Sequence, residues 1–361
     1  MPTSPVSSTS PARITHLVAG RPWAGVAERT SPVHDPATGE QTGVLDLASS
    51  ALVGEVVTGA HEAWRSAWAD LSLARRGAVL FRFRELLHRD QEKVTALITA
   101  EHGKVLDDAL AEVGRGLEVA EFACGIPHLL KGGHTDNASA GVDVFSLRQP
   151  LGVVAVISPF NFPAMVPLWF VPVALACGNA VVLKPSEKDP SATLAIAALW
   201  TESGLPDGVL NVVNGDKEAV DALLTHPQVR AVSFVGSTPV ARHVYETGTA
   251  HGKRVQALGG AKNHMLVLPD ADLDLAADAA VNAGFGSAGE RCMAVSALVA
   301  VDPVGRRAGG QDRGPGRPAA HRGRSARLRH GPGDLPRGPR PDRVVRRRRC
   351  GGRRDRGRRR P

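Results

Sequence analysis

A chain of 361 residues with 43% hydrophobic and 22% charged residues is long enough for two domains around a large buried core, so no staple is required to hold it. Its net charge of +8 is unevenly placed: residues 306–361 hold 21 arginines, no lysine and four aspartates, a net of +17, which leaves −9 for residues 1–305. The high pI therefore belongs to the tail. The four cysteines, Cys124, Cys177, Cys292 and Cys350, show no CxxC pair and no metal-ligand spacing, so no metal site is expected and a reducing cytoplasm fits.

Residues 1–11 are rich in Ser, Thr and Pro and are expected to be disordered. No basic start followed by an apolar core is present, so no signal peptide is read there. His16 to Leu47 reads as short strands, with turns at Gly20-Arg21 and across Asp35 to Gly39. From Ser50 to about Lys131 the period is helical. Ala63, Trp64, Ala67 and Trp68 fall on one face, as do Leu80, Phe83, Leu86 and Leu87, and both sets read as core. Asp143 to Arg148 alternates like an exposed strand. Phe162 to Cys177 is apolar but short for a bilayer and is broken by Pro163, Pro167 and Pro172, which predicts a buried helix and no membrane span.

From Leu151 the texture changes. GVVAVIS, NAVVLK, GVLNVVN, AVSFVGS and MLVLP are short β-branched runs, separated by helical stretches such as Ser191 to Ser203 and Glu218 to Leu224. Continuous apolar strands alternating with helices predict an α/β fold with a parallel sheet covered on both faces. Such sheets bind ligands beyond the carboxyl ends of their strands.

Four motifs sit at those ends. SPFNFP places Ser158, Phe160 and Asn161 in a proline-bounded loop; an asparagine amide there can donate to an oxyanion, or merely satisfy loop carbonyls. VVLKPSEK ends a strand with Lys184, Glu187 and Lys188. Lys184 suits ribose hydroxyls, and Glu187 would repel a 2′-phosphate and so favour NAD over NADP; a solvated charged loop is the plainer alternative. SFVGST puts Gly236 and Ser237 where a strand turns into a helix, a place where free N–H groups attract a pyrophosphate. GFGSAGERCMAVS sets Cys292 among small residues after Glu290-Arg291, a setting that suits either a nucleophilic thiolate or an inert packed thiol.

Taken in this order, SPFNFP, VVLKPSE, SFVGST and GERC resemble the aldehyde dehydrogenase superfamily over residues 12 to about 304. QALGGAKNHMLVLPDAD and AGERCMAVS are most similar to its CoA-acylating methylmalonate-semialdehyde branch. The resemblance implies a Rossmann-type NAD domain over residues 12–142 and 151–258, an oligomerisation strand at 143–150, and an incomplete α/β catalytic domain at 259–305. It implies Cys292 as nucleophile and Asn161, with the backbone N–H of Cys292, as oxyanion hole. Ser158, Phe160, Lys184, Glu187, Lys188, Ser237 and Gly259 would then contact NAD. Hydrolytic members carry a glutamate that activates water where this chain has Ala257. An alanine accepts no proton, whereas a thiol of pKa ~8.5 ionises appreciably near neutrality, so CoA is the expected acyl acceptor. Arg115, in EVGRGLEVAEFAC, and Arg291 are candidate receptors for a substrate carboxylate, because a guanidinium fork matches it. His134 and His264 have no partner at catalytic spacing.

After about Pro303 the resemblance stops. Residues 306–361 contain no aromatic residue, no lysine and no isoleucine, and are expected to be disordered. Out-of-frame translation of a GC-rich gene yields such a composition and is the reading adopted. A nucleic-acid-binding arm is the alternative, weakened by the lack of stacking residues and by the acidic body. The family's downstream E-x-F-G-P segment is absent from the sequence. The expectation is therefore a cytoplasmic, NAD-dependent, CoA-acylating dehydrogenase of malonate or methylmalonate semialdehyde, a dimer or tetramer in intact members, inactive in this form. Its apolar faces around Leu266, Val267, Leu298 and Val299 should lie exposed. The rival readings are a hydrolytic aldehyde dehydrogenase and a non-catalytic fragment.

Overall fold

The computed structural model describes residues 11–302 and Val304; the expectations for residues 1–10 and for the 306–361 tail lie outside the described residues. Five short strands open the chain: β1 (Ala12–Ile14), β2 (Leu17–Val18), β3 (Arg21–Pro22), β4 (Arg29–His34) and β5 (Gln41–Leu47). β5 pairs with β1 in parallel and with β4 antiparallel, closing a small sheet over Val33, Leu45 and Leu47. Gly39, at φ 75°, makes the β4–β5 turn that the Asp35–Gly39 run predicts.

Helices α1 (Ser50–Ala63), α2 (Leu73–Arg89), α3 (Gln91–His102), α4 (Leu106–Cys124) and α5 (Ile126–Leu129) follow. Ser49 and Ser72 cap α1 and α2 by accepting the N–H groups of Leu52 and Arg75, as short hydroxyl side chains do at helix starts. Gly103, at φ 84°, ends α3 in the left-handed conformation that glycine adopts without a Cβ penalty. One expectation fails between α1 and α2. Trp64–Trp68 is a π-turn, with the Ala69 N–H donating to the Trp64 carbonyl at 2.8 Å. The wider turn carries Trp68 into the core and leaves Ala67 exposed, against the regular helical period.

An antiparallel hairpin, β6 (His134–Ser139) with β7 (Val142–Phe145), stands exposed along its whole length. The strand expected at 143–150 is thus shorter and starts earlier, and its pairing partner lies in a segment read as part of the preceding domain. The sequence then alternates through β8 (Val153–Ile157), α6 (Met165–Ala176), β9 (Ala180–Lys184), α7 (Ser191–Glu202), β10 (Leu210–Val212), α8 (Lys217–Thr225), β11 (Val229–Val235), α9 (Thr238–Ala250) and β12 (Arg254–Leu258). These strands form a seven-stranded sheet in the order β12-β11-β8-β9-β10-β2-β3, parallel except where β2 and β3 join at the edge. β8 and β9 are buried at every position, which explains why they read as unbroken apolar runs. α6, uniformly apolar and mostly buried, packs on them. No described helix is long and apolar enough to cross a membrane.

Beyond β12 a second unit begins. β13 (Asn263–Val267) and β14 (Val295–Ala300) pair in parallel, joined by α10 (Leu273–Phe285) and a 3-10 turn at Gly286–Gly289. α10 buries none of its residues. Leu266 and Leu298 are exposed as expected, but Val267 is 5% exposed and Val299 half-buried. Strand residues alternate between faces, and α10 lies against β14, so the four side chains could not share one fate.

The main core is continuous from α1 to α9. At its centre Phe83 of α2 stacks on Trp200 of α7 with centroids 3.6 Å apart and planes at 6°. Phe83→Ala should lower stability by about 3–5 kcal/mol, read from the shift of the urea unfolding curve.

Candidate active site

The spatial order of the sheet reverses the chain order between β8 and β11. Connections leaving these two strands run in opposite directions, and a crevice opens at their carboxyl ends. Ser158 follows β8, Lys184 closes β9, Gly236 and Ser237 follow β11, and Gly259 follows β12. The topology thus brings four separate motifs to one edge.

At that edge one buried hydroxyl has no partner among the described residues and one helix start has no side-chain cap. The Ser158 N–H donates to the Lys184 carbonyl at 3.0 Å, while its buried Oγ has no partner among the described residues. Ser237 is the N-cap of α9, yet its side chain makes no capping bond and is exposed. The Gly236 N–H donates to the Leu258 carbonyl at 3.0 Å. A Cβ on Gly259 would meet Thr238 Oγ1 at 3.2 Å and Thr238 Cα at 3.3 Å, so the backbone approaches the start of α9 closely. Lys184 is buried; its ammonium donates to the Gly215 carbonyl at 3.0 Å and lies 3.6 Å from Glu187. Burial lowers the Lys184 pKa, and Glu187 offsets part of this. In the present structure Glu187 therefore faces Lys184, and the exposed Lys188 sits 4.4 Å above the Phe160 ring. An orphaned hydroxyl, an open helix start and a close glycine fit a nucleotide diphosphate and ribose.

Cys292 is exposed and free, on the turn before β14. Three side chains from three elements hold that turn. Asn161 Nδ2 donates to the Glu290 carbonyl at 2.6 Å. Asn263 Nδ2 donates to the carbonyls of Cys292 at 2.8 Å and Ala294 at 3.1 Å. Arg291 Nη2 donates to Asp108 Oδ1 at 2.8 Å. The structure thus joins Asn161 to the cysteine turn through the Glu290 carbonyl. It leaves Arg115 exposed on α4 with no contact to Arg291, and it gives Arg291 a carboxylate of its own. Ala257 is part of β12, half-buried against the core.

Sequence reasoning missed the support beneath Asn161. Lys104 and Glu112 form an ion pair of 2.6 Å with side chains 1% and 0% exposed. Lys104 also donates to the Asn161 carbonyl at 2.8 Å and lies 4.5 Å over the Phe162 ring. Glu112 Oε1 accepts the N–H groups of Ala164 and Met165 at 2.8 and 3.1 Å, the start of α6. The available signal was a glutamate inside the buried stripe Ala109, Val113, Gly116, Leu117 and Ala120. Beside them His102 stacks on Phe160 at 6.2 Å, and its Nε2 is 3.5 Å from Glu290. No metal-binding cluster occurs among the described residues. A surface depression of about 730 Å³ lined by Ser50, Lys217 and Asp221 contains none of the motif residues.

The chain belongs to the aldehyde dehydrogenase family, whose profile matches residues 23–307. It is 52% identical over 286 residues to a malonate-semialdehyde dehydrogenase of Pseudomonas aeruginosa, covering 79% of this chain and 57% of that one. Among solved structures it resembles a methylmalonate-semialdehyde dehydrogenase from Oceanimonas doudoroffii, at 54% identity and a TM-score of 0.79 over 82% of this chain and 60% of the other. A Sinorhizobium meliloti 1021 protein described as a methylmalonate-semialdehyde dehydrogenase and solved with NAD gives 50% identity and a TM-score of 0.80, over 83% of this chain and 61% of its own. The chain thus spans less than two thirds of the length of these relatives.

Two stability measurements test the support. Glu112→Gln leaves the buried ammonium without a counter-charge and should cost about 3–5 kcal/mol, whereas the double variant Lys104→Met, Glu112→Leu should cost less, both by urea unfolding. Burial, helped by Lys104, holds the His102 pKa down at about 3. Below its unfolded pKa of 6.5 the unfolded chain binds a proton that the folded chain refuses. His102 therefore lowers stability progressively as pH falls from 6.5 towards 3, by about 2 kcal/mol at pH 5. His102→Gln should flatten the drop in unfolding midpoint between pH 7 and 5.

Proposed function

We propose that this sequence encodes the cofactor domain and nucleophile turn of an NAD-dependent, CoA-acylating dehydrogenase of malonate or methylmalonate semialdehyde. The observation that carries the reading is the hydrogen bond from Asn161 to the Glu290 carbonyl, two residues before Cys292, while Ala257 stands where a hydrolytic base would be. Ser158, Phe160, Lys184, Glu187, Lys188, Ser237 and Gly259 would hold NAD in the crevice between β8 and β11. When bound, NAD supplies the hydride acceptor.

The residues of the chain do the rest. The Cys292 thiolate adds to the aldehyde carbon. Asn161 spends one N–H on the Glu290 carbonyl, which fixes the amide and leaves its second N–H for the developing oxyanion. Loss of hydride leaves an acyl group on Cys292 as a thioester. With no carboxylate at position 257 to deprotonate water, the thiolate of CoA takes the acyl group and regenerates Cys292. Arg291, and Arg115 on the neighbouring helix, would hold the substrate carboxylate; its C–C bond breaks to release CO2, a proton from solvent takes its place on the α-carbon, and acetyl-CoA or propionyl-CoA is the product. The exposed β6–β7 hairpin, with Val142, Val144 and Phe145 on its surface, suits a homo-oligomer contact, and the cysteine usage suits the cytoplasm. Because Cys292 is open to water, with Met293 74% exposed beside it, the 361-residue chain by itself should turn over poorly.

The test joins residues 1–304 to the remaining C-terminal portion of the Pseudomonas relative. Malonate semialdehyde should then yield NADH only when CoA is present. Sustained NADH formation with release of the free acid in the absence of CoA would remove the acylating reading. The 361-residue chain alone should bind NAD but turn over below about 1 s⁻¹.

A further inference from the structure

The guanidinium of Arg291 already holds a carboxylate. Asp108 Oδ1 sits 2.8 Å from Nη2, and the two side chains are 30% and 32% exposed, at the rim of the Cys292 turn rather than in the core. We propose that Asp108 occupies Arg291 while the substrate pocket is empty, and that a ligand bearing a carboxylate binds by displacing it. Asp108 is thereby a specificity-determining residue. This rests on the reading of Arg291 as the carboxylate receptor.

Three observations support an exchange over a fixed structural pair. The contact uses one guanidinium nitrogen, not the two-pronged fork that makes such pairs strong. Arg291 has a second support besides Asp108: a Cβ on Gly286 would lie 2.7 Å from Arg291 Cζ, so the guanidinium also rests against bare backbone. Asp108, for its part, lies in the first turn of the 19-residue helix α4, where unpaired N–H groups and the helix dipole stabilise a carboxylate without any arginine. The released aspartate therefore costs little. A ligand without a carboxylate leaves the Asp108–Arg291 pair intact and gains nothing from either.

The experiment uses the full 361-residue chain and needs no turnover. Alkylation of Cys292 by iodoacetamide is followed by peptide mass spectrometry, with malonate as a carboxylate probe and propionamide as a neutral one. Malonate should slow alkylation of the unaltered chain, and Asp108→Asn should lower the half-protecting malonate concentration about three- to fivefold, the scale of a half-exposed ion pair. The propionamide dependence should stay where it was, and Asp108→Glu should behave like the unaltered chain. Should Asp108→Asn be insoluble, Asp108→Ser serves the same purpose. An unchanged or raised malonate requirement, an equal shift for propionamide, or no malonate protection in any variant would overturn the proposal. Arg291→Leu separates the two readings. It should abolish malonate protection in both backgrounds, and protection that survives it would sink the carboxylate role of Arg291 itself.

Discussion

Lys104 and Glu112 are the constraint on which the site rests. Two opposite charges sealed from water would destabilise the fold if either lacked partners, so every remaining valence is spent on one loop. Lys104 holds the Asn161 carbonyl and Glu112 holds the first N–H groups of α6. The loop from Ser158 to Ala164 is thus pinned at its middle and at its far end by groups that cannot turn away to solvent. Asn161 then reaches across to the turn of Cys292. Without the pair, the loop that carries Asn161 to the cysteine turn would lose both of these anchors.

Above that support the division of labour follows from sheet topology. The reversal between β8 and β11 opens the crevice, and Ser158, Lys184, Ser237 and Gly259 reach it because each lies at or just after the end of a parallel strand. The crevice is built of backbone and short side chains: an orphaned Ser158 hydroxyl, the uncapped start of α9, and Gly259 against Thr238. The nucleophile is held differently. Asn161, Asn263 and Asp108 reach it by side-chain hydrogen bonds from three distant elements.

That contrast explains what was legible in the sequence. β8 and β9 are buried on both faces, so their β-branched runs announced them, and the motifs at their ends came with them. The crevice was readable because its parts lie next to the strands that place them. The π-turn at Trp64–Trp68 was not, because the spacing of the two tryptophans fits a regular helix equally well. Nor were the tethers of Cys292. Asp108 and Arg291 are 183 residues apart and Asn161 and Glu290 are 129 apart, and no local pattern records such pairs. Glu112 was visible as a charge in an apolar stripe, but its meaning depends on Lys104 and on the loop that both grip.

The bare flank of α10 has a consequence for how the molecule moves. A helix with no buried residue adds little to the cohesion of its unit, and among the described strands β13 and β14 pair only with each other. The layer bearing Cys292 is then a separate cooperative block, opening at a lower free energy than the sheet below it. Its amides would exchange with solvent deuterium well before those of β8 and β9. The thiol would lose its geometry in those openings while the crevice beside it stayed closed and ready to bind.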